Sequence, residues 1–455
     1  MVKRKIQTGS IRHRLALMCY GIPLFLFLLV DVIKWLWSVN LSALKLKKQD
    51  QIKRDLQWGQ KFGLLPATKP DKNTKPEPKN STVLIHCASV GEVVAAIELL
   101  KALIKTQPNL NIVVTTNTLT GKQQLLRSIE NTELQQRVIH NYLPVDLAGL
   151  MRRFIKHINP DLVMIMEVEM WPNFINQSVK QNKPVIMINA RLTEKTCKGY
   201  QKLSWLSEPM ISGLSYVFAR NQMDFDNYQL LGIEDKKLEL AGNIKFDIQL
   251  PSNEQIENLR TQFGINNRKV IVAGSTHDGE EQALIESYKT LTNNPDLTDV
   301  ILIIAPRHPH RFESVGEWLH TQELKVIKAS EGQNADENTQ VVLLDQMGVL
   351  SQIYGIADVV YIGGSLVKRG GHNPIEASAF AKPVIMGQYI YNNPEIIQTI
   401  ADDGGLLLIN TQQQLLDALQ KLLSKPEHAQ EIGLKGLNTI KNNQGVINKI
   451  SNKIF

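Results

Sequence analysis

The chain predicts an α/β protein made of two doubly wound parallel-sheet domains facing a cleft, preceded by an N-terminal membrane anchor helix. Three observations carry that expectation. Short apolar, β-branched runs alternate with helical patterns from residue 83 to residue 409; the rhythm breaks and restarts between Gly242 and Asn266; and Leu15 to Val30 is apolar throughout. Strands apolar along their whole length belong in sheets covered on both faces, which parallel βαβ winding produces. Such sheets take ligands beyond the carboxyl ends of their strands.

The expected order is an anchor over 1–40, a basic, Pro-rich linker over 41–80, a first domain over 81–245, a second over 246–432 and a helical tail over 433–455. A chain of 455 residues, 43% hydrophobic and 21% charged, can build two ordinary domains and an appendage. Basic residues stand before the apolar N-terminal run (Lys3, Arg4, Lys5, Arg12, Arg14) and after it (Lys45, Lys47, Lys48, Lys53, Arg54). No small-residue cleavage site follows, so an anchor is read rather than a cleaved signal. The Trp residues and basic flanks suit a short span or a helix lying in the interface, with the body on the cytoplasmic face. The linker from Pro66 to Asn80 is expected to be extended.

In the first domain the strand runs are Val83–Cys87, Ile112–Thr116, Val138–Tyr142, Leu162–Met166, Val185–Asn189 and Tyr216–Ala219. In the second they are Val270–Ala273, Val300–Ala305, Val326–Lys328, Val341–Leu344, Val359–Ile362, Val384–Met386 and Leu406–Ile409. The last segment, from Glu427 on, reads as helical and polar, without assignable chemistry.

Composition narrows the partners. Three dispersed cysteines (Cys19, Cys87, Cys197) give neither a disulfide framework nor a zinc site. The net charge of +7 suits an anionic partner such as phosphate, nucleotide or acidic lipid. No Lys/Arg stripe interleaved with aromatics points to nucleic acid.

The chemistry sits at strand ends. Ser89-Val90-Gly91-Glu92 joins a strand to a helix, placing a carboxylate beside a glycine that lets substrate approach the backbone. Ser-x-x-Glu also reads as a capping box, with Glu92 returning to the Ser89 amide. Gly274, Ser275 and Thr276 would offer N–H groups and hydroxyls to a phosphate at a helix start, or cap that helix, with Asp278, Glu280 and Glu281 complementing its dipole. Arg307, His308, His310 and Arg311 form a cationic cradle without carboxylates, so a metal site is not expected. Around Gly363, Gly364, Ser365, Gly370, Gly371 and His372 a glycine-rich loop leads to Asn373, which would cap a helix opening at Pro374, and to Glu376, which can accept two sugar hydroxyls. Glu167 and Glu169 share a face if their segment is extended; either orients substrate or pairs with cations. Lys245 lies at the hinge, placed for an anion.

Taken together, these segments resemble the 3-deoxy-D-manno-octulosonic acid (Kdo) transferases of lipopolysaccharide assembly. The resemblance rests on Ser89–Glu92, Tyr142–Asp146, Met166–Asn173, Asn189–Arg191, Gly242–Asp247, Ala305–Pro309 and Gly371–Ala377. It implies a GT-B glycosyltransferase, two Rossmann-like domains across a cleft, that moves Kdo from CMP-Kdo to the tetraacyl disaccharide bisphosphate precursor of lipid A at the inner membrane. It implies Glu92 as the base, Glu167 beside it, and Gly91 and Arg191 on the acceptor. Lys245, Ser275, Thr276, Arg307, His308, Gly364, Ser365, Asn373 and Glu376 would hold the donor, without metal or further cofactor. A UDP-hexosamine transferase or a sugar-nucleotide epimerase would keep the fold and change the chemistry. A tethered sugar-binding scaffold should have lost Glu92 or the glycines around Gly364, and both are present.

Overall fold

The computed structural model describes residues 15–22, 58–63, 81–265, 267–332 and 334–455. They divide into two compact units, the first ending at Asp247 and regaining Gly445–Phe455, the second running from Ile248 to Gln444.

The first unit holds one parallel sheet built from β1 (Thr82–His86), β2 (Asn111–Thr116), β3 (Val138–Tyr142), β4 (Leu162–Met166), β5 (Val185–Ala190), β6 (Tyr216–Ala219) and β7 (Leu238–Leu240). Their order is β3-β2-β1-β4-β5-β6-β7. Because β1 pairs with both β2 and β4 in parallel, the winding reverses between β1 and β4. A crevice opens at the carboxyl ends of strands at such a switch point. Alternate residues of β1 enter different cores: Val83 and Ile85 join the cluster under the helix Val90–Thr106, and Leu84 joins the opposite one. This two-sided burial is why Val83, Leu84 and Ile85 are apolar in succession.

The second unit repeats the plan with β8 (Lys269–Thr276), β9 (Val300–Pro306), β10 (Val326–Lys328), β11 (Val341–Leu343), β12 (Val359–Ile362), β13 (Val384–Gly387) and β14 (Leu406–Ile409). The order is β10-β11-β9-β8-β12-β13-β14, so β11 inserts between β10 and β9 and the switch point lies between β8 and β12.

Four expectations change. The strand β7 was not anticipated; Leu238-Glu239-Leu240 is too short to carry a pattern. The helix expected after Gly274-Ser275-Thr276 starts only at Glu280, because β8 continues through Thr276 past an irregularity at Ser275. The C-terminal segment is not one polar tail. Gly445, at φ 94°, ends the helix Pro426–Asn443 and opens the helix Val446–Ile454, whose Val446, Ile447 and Ile450 are buried in the first unit beside Val93 and Ile97. Within the expected linker, residues 58–61 form a helical turn on the first unit, where the Gln60 side chain bonds Asn141 and accepts the Tyr142 N–H.

Of the expected anchor only residues 15–22 are described. They are helical, and the Tyr20 hydroxyl donates to Asp146. Asp146 also accepts the N–H groups of Asn173 and Phe174, capping the helix Pro172–Lys180. The rest of the anchor and the stretch Pro66–Asn80 lie outside the described residues. Among the described residues no helix is long and apolar enough to cross a membrane.

Candidate active site

Each unit gathers polar side chains at its own switch point. In the first, β1 ends at His86 and the chain passes through Ala88 to Ser89, the N-cap of the helix Val90–Thr106. Ser89 Oγ accepts the Glu92 N–H at 3.3 Å. The Glu92 carboxylate folds back to accept the Ala88 N–H at 2.8 Å and the Ser89 hydroxyl at 2.9 Å. The capping expectation is thus met with a shift of one residue, the amide being that of Ala88. Capping does not exhaust the group. Burial pushes the Glu92 carboxyl up to about 7; the charges of Glu167 and Glu169 add to that, against the two hydrogen bonds. A carboxyl near 7 is matched to proton transfer at neutral pH. Gly91, next to it, is exposed, and a Cβ there would meet only the Ser89 Oγ, at 4.0 Å.

Glu167 follows β4 directly. Its segment turns instead of extending: Glu167 has φ 52° and Asn189, at the end of β5, has φ 50°. Such values are uncommon for residues with a side chain and are held here by surrounding contacts. Asn189 donates to Glu167 at 3.4 Å and accepts the Ile244 N–H at 3.1 Å. Lys245 Nζ lies 3.0 Å from Glu167 Oε1. Glu169 points to a different partner set, accepting the Trp171 indole N–H at 2.8 Å with His86 3.9 Å away; these hold its carboxyl below the usual range. Arg191 donates its main-chain N–H to the Glu167 carbonyl, and its Nε is buried without a hydrogen-bond partner among the described residues.

The segment Gly242–Asp247 explains itself residue by residue. A side chain on Gly242 would strike Val446 at 2.9 Å; Asn243 caps Lys245; Ile244 bonds Asn189; Lys245 pairs with Glu167. Asp247 accepts the Gly445 and Ile447 N–H groups, capping the last helix. Lys245, expected at the hinge, pairs with Glu167 inside the first unit. Its short 3₁₀ turn, Ile244–Phe246, precedes the boundary at Asp247.

In the second unit the ends of β8, β9 and β12 bring together His277, Arg307, His308 and the glycine loop. The organising residue is Glu280, fully buried in the first turn of the helix Glu280–Leu291. Its carboxylate accepts the N–H groups of His277, Gly364, Ser365 and Leu366 at 2.7–3.0 Å and the Tyr361 hydroxyl at 2.7 Å. Sequence reasoning missed this role, seeing only an acidic residue favourable to a helix dipole.

Internal hydrogen bonds engage three of the residues expected to hold the donor. The Gly364 amide is already engaged by Glu280. Ser365 is fully buried, donates its hydroxyl to the Ile362 carbonyl and accepts the Gly387 N–H. Thr276 is fully buried and donates to Glu281, which Arg311 grips through two nitrogens. Small hydroxyl residues at a strand end satisfy the protein itself here. Ser275, at φ 57°, lies at the irregularity of β8.

On the exposed face stand the cations Arg307 and Arg369 and the imidazole of His308, with His277 and His372 beneath. Asn373 accepts the Ile375 N–H at 3.2 Å, but Pro374 and not Asn373 is the N-cap of the helix Ile375–Ala379, which starts one residue later than expected. Glu376 lies in its first turn, its carboxyl pushed up by burial. Among the described residues no group of three or more His, Cys, Asp or Glu side chains is arranged to hold a metal ion.

Residues 56–248 match the family profile described as 3-deoxy-D-manno-octulosonic-acid transferase (kdotransferase), and residues 255–438 match that of glycosyl transferases group 1. The chain is 36% identical over 377 residues to a 3-deoxy-D-manno-octulosonic acid transferase of Haemophilus influenzae, covering 82% of this chain and 86% of that one. It belongs to the Kdo transferase family. A second member, from Rickettsia felis, is 30% identical across 81% of this chain and 78% of its own length. Among solved structures, the UDP-GlcNAc 2-epimerase of Neisseria meningitidis matches with a TM-score of 0.54 and 15% identity, covering 81% of this chain and all of that one. That likeness shows the fold alone. This Kdo transferase family member is a glycosyltransferase built from two parallel-sheet α/β units, as GT-B enzymes are, and its class of work is Kdo transfer in lipopolysaccharide synthesis.

Proposed function

We propose that this transferase moves Kdo from CMP-Kdo to the tetraacyl disaccharide bisphosphate precursor of lipid A, with inversion, at the cytoplasmic face of the inner membrane. The observation that carries the reading is Glu92, a carboxylate raised to about 7 at a switch point beside the exposed Gly91. In the reaction an acceptor hydroxyl oxygen forms a bond to the anomeric carbon as the bond from that carbon to the phosphate oxygen breaks. The hydroxyl proton passes to Glu92 and the electron pair leaves with the phosphate of CMP. Arg191, whose Nε lacks a partner among the described residues, and Gly91 would meet the acceptor; Glu167, held by Lys245 and Asn189, sets the charge around the base.

On the second unit Arg307 and His308 would stabilise the departing phosphate, and Glu376 and Asn373 would meet the sugar and base of the nucleotide. The apolar run Leu15–Val30 between basic flanks supports the membrane placement.

The test is direct. Full-length protein in detergent is incubated with CMP-Kdo and the lipid A precursor, and products are followed by mass spectrometry beside Glu92→Gln. Mass gain by Kdo units with wild type alone supports the reaction and the base. Intact donor and no transfer by folded wild type would reject this donor and acceptor pair.

A further inference from the structure

The second unit contains a contact that holding a phosphate does not require. His277 and His372, 95 residues apart, meet Nε2 to Nε2 at 2.9 Å, their rings within 7° of parallel. At that distance one ring must present N–H and the other a lone pair, so the two imidazoles share one proton between them. A second proton would set two N–H groups head to head. Taking it up therefore means opening the contact.

The surroundings decide when that happens. His277 lies in the turn after β8, His308 packs edge-on against it, and Arg307, Arg311 and Arg369 add their charge. His372 feels Arg307, His277 and His308. The acidic groups nearby are committed or neutralised: Glu280 holds the loop amides, Glu281 and Asp278 face Arg311, and burial pushes the Glu376 carboxyl up. Burial first, and then the neighbouring cations, hold His277 down to about 4 and His372 down to about 3. Among the described residues neither Arg307 nor Arg369 forms an ion pair. An anion on this face supplies the missing counter-charge and offsets the cationic field that opposes protonation of both rings.

We propose that the His277–His372 pair takes up one proton from solvent when the phosphate monoester of CMP occupies the Arg307–Arg369 face, opening the shared contact. This rests on reading the second unit as the CMP site. The added proton offsets the negative charge that the phosphate gains when its bond to the sugar breaks, so product is held more tightly as pH falls.

Calorimetric titration of the full chain with CMP at pH 7.0, in two buffers of different ionisation enthalpy, tests it. A phosphate monoester has a second pKa of about 6, so placing it in a cationic site can only release protons from CMP itself; any net uptake belongs to the protein. Wild type should show net uptake of a measurable fraction of a proton per CMP, because rings held down to about 4 and about 3 do not fill completely at pH 7.0. His277→Asn and His372→Asn should bind CMP within about tenfold of wild type, a hydrogen bond's worth, and lose the uptake. His308→Asn should keep it while binding more weakly. Wild-type binding without uptake overturns the proposal and needs no variant. Uptake that survives in both pair variants, or vanishes only in His308→Asn, overturns it too. Absence of CMP binding by cooperatively folded wild type would instead remove the donor-site reading, and the proposal with it.

Discussion

Glu280 accepts the Gly364 N–H at 2.7 Å across 84 residues of chain, and with it the next two amides of the same loop. A glycine-rich loop at a strand end commonly offers its amides to a phosphate. In this chain an internal carboxylate already occupies them. The exposed groups beside the loop are the cations Arg307 and Arg369 and the imidazole of His308.

Removing that carboxylate leaves five donors buried without a partner. Glu280→Ala is expected to cost at least about 3 kcal/mol, since each unsatisfied buried donor costs about 1–3 kcal/mol. Thermal and denaturant unfolding measure this. A melting temperature equal to wild type would show that the loop finds other acceptors.

Glu92→Gln should lower kcat by ~10²–10⁴-fold, the usual scale for losing a general base, with CMP affinity unchanged. Its folded-state pKa is raised, so the folded state binds the proton more tightly than the unfolded one between the ordinary carboxyl value of 4.5 and about 7. Stability from this group is present below that window and falls as pH rises through it. The uncharged variant should therefore be no less stable than wild type at pH 8. A marked drop in its melting temperature with activity partly kept would make Glu92 a cap and not a base.

The rate should rise with pH through about 7, because the base works deprotonated. Glu167→Gln removes a negative neighbour and frees the Lys245 charge, both of which favour the ionised form of Glu92. The rising limb should move to lower pH by about one unit. A pH–rate profile of kcat/KM reads the shift directly; an unmoved limb would mean that Glu167 does not act on the base through charge.

Arg307 and Thr276 were drawn from neighbouring strand ends, yet they should behave in opposite ways. Arg307→Ala should weaken CMP binding by about 10–100-fold, as loss of a charge-assisted contact does, and leave the melting temperature alone. Thr276→Val should lower stability through the lost bond to Glu281 while CMP affinity stays near wild type. Titration calorimetry and thermal melts on the two variants separate the cases, and the reverse pattern would return Thr276 to the ligand.

Asp247→Ala removes the acceptor for two N–H groups of the last helix, a loss of about 0.5–2 kcal/mol by analogy with other helix caps. Limited proteolysis should then cut near Gly445 sooner than in wild type. Equal cutting rates would show that Val446, Ile447 and Ile450 hold the helix without its cap.

The alternation of apolar runs with helical patterns located nearly every strand, since hydrophobic periodicity is written inside each segment. It missed β7, three residues long, and ended β8 too early, because Gly274-Ser275-Thr276 has the composition of a turn. There the strand continues under tertiary constraint: a side chain on Gly274 would overlap the Tyr354 hydroxyl, and one on Gly363 would overlap the Ser275 backbone. Glu92 was legible because Ser-x-x-Glu after an apolar strand places a carboxylate at a helix start. The inward turn of Thr276 and Ser365 was not, for a hydroxyl's local sequence is the same whichever way it points.

By itself, then, the sequence determined the two-unit α/β plan and a family resemblance that the relatives bear out. Only the tertiary structure decided that β11 inserts between β10 and β9, that Lys245 serves the first unit, and that Glu280 claims the glycine loop. Periodicity is a property of a dozen neighbouring residues. A hydrogen-bond partner is chosen among groups that folding brings together from 84 or 95 positions away, and a residue type does not name its partner.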